Sequence, residues 1–307
     1  MIKEYINKII KNLPDKIIKR KTPETIDVIF DGGLFNGSYL VGVAYFLKEM
    51  EKNGYIKVRR ISSCSIGSFV ALLYITDCLD LFESSYEFLI EQLKTNHLLN
   101  ETEKLFLKIK PFFPENICEK MNNKVYINYY NVKKSKSIVK KTYNDINDIF
   151  DSIMKSSFVP LLINGNLFYK KKYIDGLNPY IFPIEKEVKI LYVDLHGGFD
   201  KILGTFNVKN EKTNFHRILA GVLDIHNFYV KDCSTDFCSY VNNWSYTHKS
   251  YNHTKTILEF LFVKVINIIY NLRKNIPKCY YEDNILFILI SKILKEIYII
   301  VLEKYLI

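Results

Sequence analysis

The order of apolar patterns along this chain predicts an α/β fold, with helices packed over a parallel sheet and a mostly helical C-terminal region. Two strand-loop-helix units in succession carry the first expectation. Two strongly apolar late segments, at helical spacing, carry the second. With 307 residues the chain can bury a sizeable core, so size excludes little.

Taken in order, residues 1–22 read as an N-terminal helical segment. Ile2, Tyr5, Ile6, Ile9, Ile10 and Leu13 share one side, and Pro14 breaks the run. Docking on the core is the default for such a helix, and an anchor in anionic lipid is the alternative. Residues 23–215 form the main α/β domain. There, Ile26, Val28, Ile29 and Phe30 make a short β-branched strand that runs into Asp31-Gly32-Gly33, and a helical pattern starts near Gly37. A second strand, from Ile56 to Ser62, leads into Ser63-Cys64-Ser65-Ile66-Gly67 and a further helix through Phe69, Leu72, Leu73 and Ile75.

Leu79 to Asn123 reads as helical with a loop near Pro111 and Pro114, and Val125–Tyr130 with Ser137–Thr142 as a hairpin. Asp145, Asp148 and Asp151 recur every three residues. A cation site is one reading, and acidic residues complementing a helix start are the stronger one. Lys189 to Leu195 is another apolar strand. Residues 216–307 are expected to be mostly helical. Within them, Ile257–Tyr270 and Ile285–Leu302 are apolar but interrupted by Glu259, Lys264, Lys292, Lys295 and Glu296, so neither offers the ~18 to 20 apolar residues of a membrane span.

The net charge of +10 calls for a partner class. Lysines and arginines are spread along the chain, with clusters at Lys19-Arg20-Lys21, at Lys133, Lys134 and Lys136, and at Lys170-Lys171-Lys172. No zinc-finger spacing, long basic helix or RNA-recognition signature accompanies them, so nucleic acid is not expected. The six cysteines, Cys64, Cys78, Cys118, Cys233, Cys238 and Cys279, follow neither a disulfide framework nor a zinc pattern. No apolar signal-peptide core is evident near the N-terminus, and a reducing, cytoplasmic setting is the expectation. The glycosylation triplets at Asn36, Asn100, Asn243 and Asn252 then read as chance matches.

Ser65 carries the chemical signal. A serine between strand and helix, with small residues two before and two after it, fits a nucleophile elbow, and Ser63 and Gly67 are those flanks. The competing role is a helix N-cap. Gly32 and Gly33 lie after a strand and before a helix, where backbone N–H groups can hold an anion, as in an oxyanion hole. Gly32 and Gly37 also have the spacing of a phosphate loop, but Ser38 stands where that loop needs lysine. The base could be His97, His196, His216, His226, His248, His253 or a carboxylate. His196, before Gly197-Gly198, is the best placed of the histidines. Asp175-Gly176 follows a short strand-like run and reads either as a base or as a turn.

Asp31-Gly32-Gly33-Leu34-Phe35-Asn36-Gly37, then Ser63-Cys64-Ser65-Ile66-Gly67, then Asp175-Gly176 resemble the patatin-like phospholipase family in order and context. Tyr39 to Leu47 looks like its first helix, and Ser156-Ser157-Phe158-Val159-Pro160 like its Ser-x-x-x-Pro segment. The resemblance spans roughly residues 26–179. It implies a three-layer α/β/α fold with a mostly parallel central sheet, and a lipid acyl hydrolase working by a Ser-Asp dyad. Ser65 would be the nucleophile, Asp175 the base, and the Gly32 and Gly33 amides the oxyanion hole. Leu34, Asn36 and Ser63 depart from the pattern, where the family favours Gly, a basic residue and Gly. A binding protein that has kept this fold without turnover is the alternative. Phospholipid or another lipid ester is the expected substrate, with peripheral membrane contact. The chemistry calls for no cofactor or metal, and no H-E-x-x-H, EF-hand or clustered Cys/His spacing is present.

Overall fold

The computed structural model describes residues 2–196, 205, 207–209, 211, 213–275 and 285–306. Gly197, Gly198 and Cys279 lie outside the described residues. The strands are β1 (Glu24–Phe30), β2 (Ile56–Cys64), β3 (Val125–Asn131), β4 (Lys136–Lys140), β5 (Tyr173–Asp175), β6 (Lys189–Val193) and β7 (Cys238–Tyr240). They make one seven-stranded sheet in the order β4-β3-β2-β1-β6-β7, with β5 also paired to β3.

The central pairings β1–β2, β1–β6 and β2–β3 are parallel, whereas β3–β4, β3–β5 and β6–β7 are antiparallel. The sheet is therefore mixed, which corrects the expectation of a mostly parallel one. Residues 132–135 are too few for the crossover that a parallel partner needs, so β4 turns straight back along β3. The expected helical run after residue 216 is likewise interrupted by β7. That strand has three residues, too few for an alternating pattern to stand out in sequence.

The helices before residue 200 are α1 (Ile2–Ile10), α2 (Asp15–Ile18), α3 (Gly37–Lys52), α4 (Ile66–Ile75), α5 (Leu81–Asn96), α6 (Thr102–Ile109), α7 (Ile117–Met121) and α8 (Ile146–Ser156). They are followed by α9 (Phe215–Lys231), α10 (Tyr246–Asn275) and α11 (Ile285–Val301). One face of the sheet, with Val28, Phe30, Ile61, Ile127, Leu191 and Val193, carries the main core. Helices α3, α4, α8 and α9 contribute to it, and α1 and α2 add Ile6, Ile10 and Ile17. The isoleucines and Leu13 of the N-terminal apolar side are thus packed on the core, whereas Tyr5 is exposed. Gly42 and Gly221 let α3 and α9 meet backbone to backbone, because a Cβ on either would collide with a carbonyl of the other helix.

On the opposite face, Ile29, Ile190 and Tyr192 meet Phe182, Val241 and Trp244. Asp27 is fully buried in β1 and is neutralised by Arg59 at 2.7 Å and Arg60 at 2.6 Å. Helix α10 continues over this side, packing Val263 and Ile266 against Val132, Phe168 and Ile174. Among the described residues no helix is long and apolar enough to cross a membrane.

The three spaced aspartates do not converge. Asp145 caps α8 by accepting from the Asp148 N–H at 2.7 Å, Asp148 pairs with Lys140, and Asp151 pairs with Lys155 and Lys170. Among the described residues no group of three or more His, Cys, Asp or Glu could hold a metal ion.

Candidate active site

Strand β3 brings two distant parts of the chain together. β2 runs parallel to it and ends with Cys64 opposite Asn128, while β5 runs antiparallel and ends with Asp175 opposite Tyr129. Because β4 occupies the other edge of β3 over the same residues, β2 and β5 must share one edge and meet tip to tip. Ser65, the residue after β2, and Asp175, the last of β5, therefore face each other across a gap of 110 positions in sequence.

Ser65 has φ 50° and ψ −133°, a conformation that side chains avoid and that an elbow imposes. Two glycines make the bend possible. A Cβ on Gly67 would lie 2.6 Å from the Phe30 carbonyl oxygen and 2.7 Å from that of Asp31, so α4 can start directly against the end of β1 only with glycine there. A Cβ on Gly32 would stand 3.0 Å from the Ser65 Cβ, so the glycine loop closes over the serine. Gly37 abuts Ile66, and Ser63 is buried with its hydroxyl on the Tyr126 carbonyl at 3.4 Å.

Ser156 fastens the elbow to β3. Its hydroxyl accepts from the Ser65 N–H at 2.9 Å and donates to the Asn128 carbonyl at 2.6 Å. The next turn of the same segment holds β5, with the Asp175 N–H on the Phe158 carbonyl at 3.1 Å and the Gly176 N–H on that of Ser156 at 3.3 Å. Gly176 itself lies against the Asn128 backbone, where a Cβ has no room. The Asp175 side chain accepts from the Leu177 N–H at 2.9 Å, closing a turn that aims the carboxyl.

Asp175 is 5 % exposed, and Ser65 is 7 % exposed. Burial pushes the Asp175 carboxyl up to about 6, against the hydrogen bond from the Ser65 hydroxyl, which pulls it down; the nearby charge of Asp31 adds to the rise. A carboxylate of this kind can take a proton near neutral pH and return it.

Asp31 behaves oppositely. Burial alone would raise its pKa, but Lys255 and His196 outweigh it and hold the carboxylate ionised below the usual range. It accepts from Lys255 Nζ at 2.7 Å, Tyr192 Oη at 3.0 Å and its neighbour Gly32 N–H at 2.8 Å, with the Cys64 thiol at 3.7 Å. The Gly32 amide is thus turned to Asp31. The Gly33 amide donates to no group among the described residues, and Gly33 adopts φ 155° beside Leu195.

An apolar pocket opens at Ser65 on the main-core side. Leu34, Phe69, Leu99, Phe106, Met154 and Ile163 are among its lining residues. On the other side, α10 delivers Lys255 and Glu259. Burial and the charges of Asp31 and Asp175 push the Glu259 carboxyl up to about 8 against the pull of Lys255, and Glu259 accepts from Asn178 two residues past Gly176.

Residue-pattern reasoning did not single out Lys255 or Glu259 as site residues. For Glu259 the available signal was a charge at the start of the apolar half of α10, which must face something polar; Lys255, one turn earlier, lies in a polar stretch and carries no such mark. Four of the histidines are engaged elsewhere, His97 with Glu303, His216 with Glu211, His226 against Phe46 and His248 with Ser245, and His253 is exposed on α10. His196 lies beside Asp31 and Asp194. Asn36 is 1 % exposed and accepts from Arg217 Nη1 at 2.6 Å, a place where no glycan could be attached to the folded chain. Cys64, Cys78, Cys118 and Cys233 are free thiols.

No family model matches the chain, and a search of curated proteins finds no match to it.

Proposed function

We propose that the chain is a serine acyl hydrolase of the patatin-like kind, with a three-layer α/β/α arrangement, acting on fatty acyl esters of phospholipids or related lipids. The observation that carries this reading is the pairing of a strained elbow serine, Ser65, with a buried Asp175 whose pKa is raised to about 6, at the rim of an apolar pocket.

In this mechanism Asp175 accepts the Ser65 hydroxyl proton as Oγ attacks the ester carbonyl carbon. The carbonyl π pair moves to oxygen, and the Gly33 N–H faces the resulting oxyanion. Collapse breaks the bond to the glycerol oxygen, which takes the proton from Asp175, leaving acyl-Ser65. Water then adds with Asp175 again as base, the acyl–Oγ bond breaks, and Asp175 returns the proton to Ser65 Oγ as the fatty acid departs. Burial suits Asp175 to both steps, because a carboxyl poised near neutrality gives and takes protons at little cost. The basic residue favoured by the family beside the glycine loop is absent at Asn36, and here the guanidinium of Arg217 arrives from α9 to the same place.

The cavity at Ser65 measures about 60 Å³. A cavity of ~150 Å³ is filled by one benzene ring, so a long acyl chain enters only when α5 and α6, which supply Leu89 and Phe106, part from α8. One observation favours a second reading, a lipid-binding protein without turnover: the Gly32 amide is occupied by Asp31, which leaves fewer donors for the oxyanion.

Fatty-acid release from mixed phospholipid vesicles, with and without EDTA, separates the two. The hydrolase reading expects release by the parent chain in EDTA and its loss in both Ser65→Ala and Asp175→Ala. A folded parent that binds lipid and releases no fatty acid from any lipid class supports the second reading instead.

A further inference from the structure

Helix α10 has two apolar faces and only one is used. Val263, Ile266 and Tyr270, spaced i, i+3, i+7, face the body of the protein. Leu258, Leu261, Phe262, Val265 and Ile268, spaced i, i+3, i+4, i+7, i+10, form a second stripe, each more than half exposed. A contiguous exposed stripe of this size on one helix marks an interaction surface.

Two of the chain's three basic clusters converge beside it. The Val132 N–H donates to the Lys172 carbonyl at 2.9 Å, which joins the β3–β4 turn to the turn before β5. Lysines 133, 134, 136, 170, 171 and 172, separate in sequence, therefore share one end of the sheet. Lys170 is paired with Asp151. Lys133, Lys134, Lys136 and Lys171 are exposed, and no ion pair to them occurs among the described residues. Lys133 and Lys171 line a polar cavity of about 510 Å³ with Asn267 and Asn271 of α10, on the flank of that helix next to the exposed stripe. Lys264 adds a cation between the two.

We infer that α10 and the paired lysine turns form a docking surface for an anionic phospholipid bilayer, with Leu258, Leu261, Phe262, Val265 and Ile268 seated at the headgroup boundary and Lys133, Lys134, Lys136 and Lys171 against lipid phosphates. The charge pattern selects this occupant. Nucleic acid would leave the apolar stripe in water, and a second copy of the chain would set the lysine turns against each other. A bilayer with acidic headgroups satisfies both parts at once. The surface deepens the lipid reading above by naming where lipid is met: α10 is the helix whose inner side carries Lys255 to Asp31 at 2.7 Å, so docking leaves the candidate site about one helix diameter from the headgroups. It rests on that reading for its purpose and on the surface alone for its existence.

The test uses full-length Ser65→Ala, which cannot alter the lipid, floated with vesicles of phosphatidylcholine alone or of equal parts phosphatidylcholine and phosphatidylserine. The inference expects binding to the anionic vesicles that is released by high salt, and little binding to the neutral ones. Replacing the four lysines by Glu should weaken binding at least a hundredfold, on the basis of about fivefold per lysine. Leu261→Ser with Phe262→Ser should weaken it about tenfold or more with an unchanged circular dichroism spectrum. Equal binding by the parent and the lysine variant would overturn the inference. So would absence of vesicle binding together with a dimer that Leu261→Ser/Phe262→Ser converts to monomer. The hydrolase reading is scored separately, by hydrolysis of a dissolved short-chain ester: parent activity there, retained by the lysine variant, stands or falls regardless of vesicle binding.

Discussion

At Asp175 and Asp31, two neighbouring carboxylates at the ends of β5 and β1 are driven in opposite directions by what surrounds them. Asp31 has Lys255, Tyr192 and an amide, and stays charged. Asp175 has a hydroxyl and the amides of its turn, and burial prevails. A carboxyl whose folded pKa lies above its unfolded value weakens the fold as pH rises, because the unfolded chain releases the proton first. With Asp175 raised from 3.8 to about 6, the penalty is absent below pH 4, grows between those values and is complete above them. Asp175→Asn keeps the turn acceptor and removes the charge, so it should stabilise the chain at pH 8 by up to about 3 kcal/mol. The gain should vanish near pH 4, as denaturant titrations at the two pH values would show. An equal effect at both would mean the carboxyl is not perturbed. Ser65 and Asp175 were legible as residues from small flanks and a following glycine. Lys255 was not, because its partner Asp31 lies 224 positions away and nothing local records the pairing.

Among the elements, the glycine positions carry the tightest constraints. Gly221 of α9 approaches the Tyr39 carbonyl of α3 so closely that no Cβ fits, and Gly42 does the same to Ile218 from the other side. Gly221→Ala should therefore cost about 1–3 kcal/mol through forced separation of the helices, seen as a lowered thermal midpoint. An unchanged midpoint would mean that the two helices are not held in this contact. Strands β1 and β2 and helices α3 and α4 were readable because a change from alternating to helical spacing falls at Asp31-Gly32-Gly33 and again at Ser65. β5 and β7 have three residues each, below the length at which periodicity speaks, and their pairing with β3 and β6 is a long-range fact. Of the three antiparallel pairings that make the sheet mixed, the β3–β4 hairpin was readable from its two neighbouring runs, and those of β5 and β7 were not.

Across the whole molecule, the sheet divides two environments that meet where β1, β2 and β5 end. On the core side, an apolar pocket between α4, α5, α6 and α8 adjoins Ser65. On the other side, α10 sets Lys255 and Glu259 against Asp31 and Asn178 and turns an apolar stripe outward. A lipid ester suits that division, with its acyl chain on the dry side and its headgroup toward the charged one. Part of the chain's basic charge gathers in the same way. Two lysine clusters that sequence shows only as separate runs become one patch when β5 pairs with β3. The most direct test of the account is the reaction of the folded chain with a fluorophosphonate, followed by intact mass and peptide mapping across pH. The account predicts one adduct, on Ser65, forming more slowly as pH falls through about 6 and not forming in Asp175→Asn. A folded parent chain that stays unmodified, or an adduct on a different side chain, would contradict it.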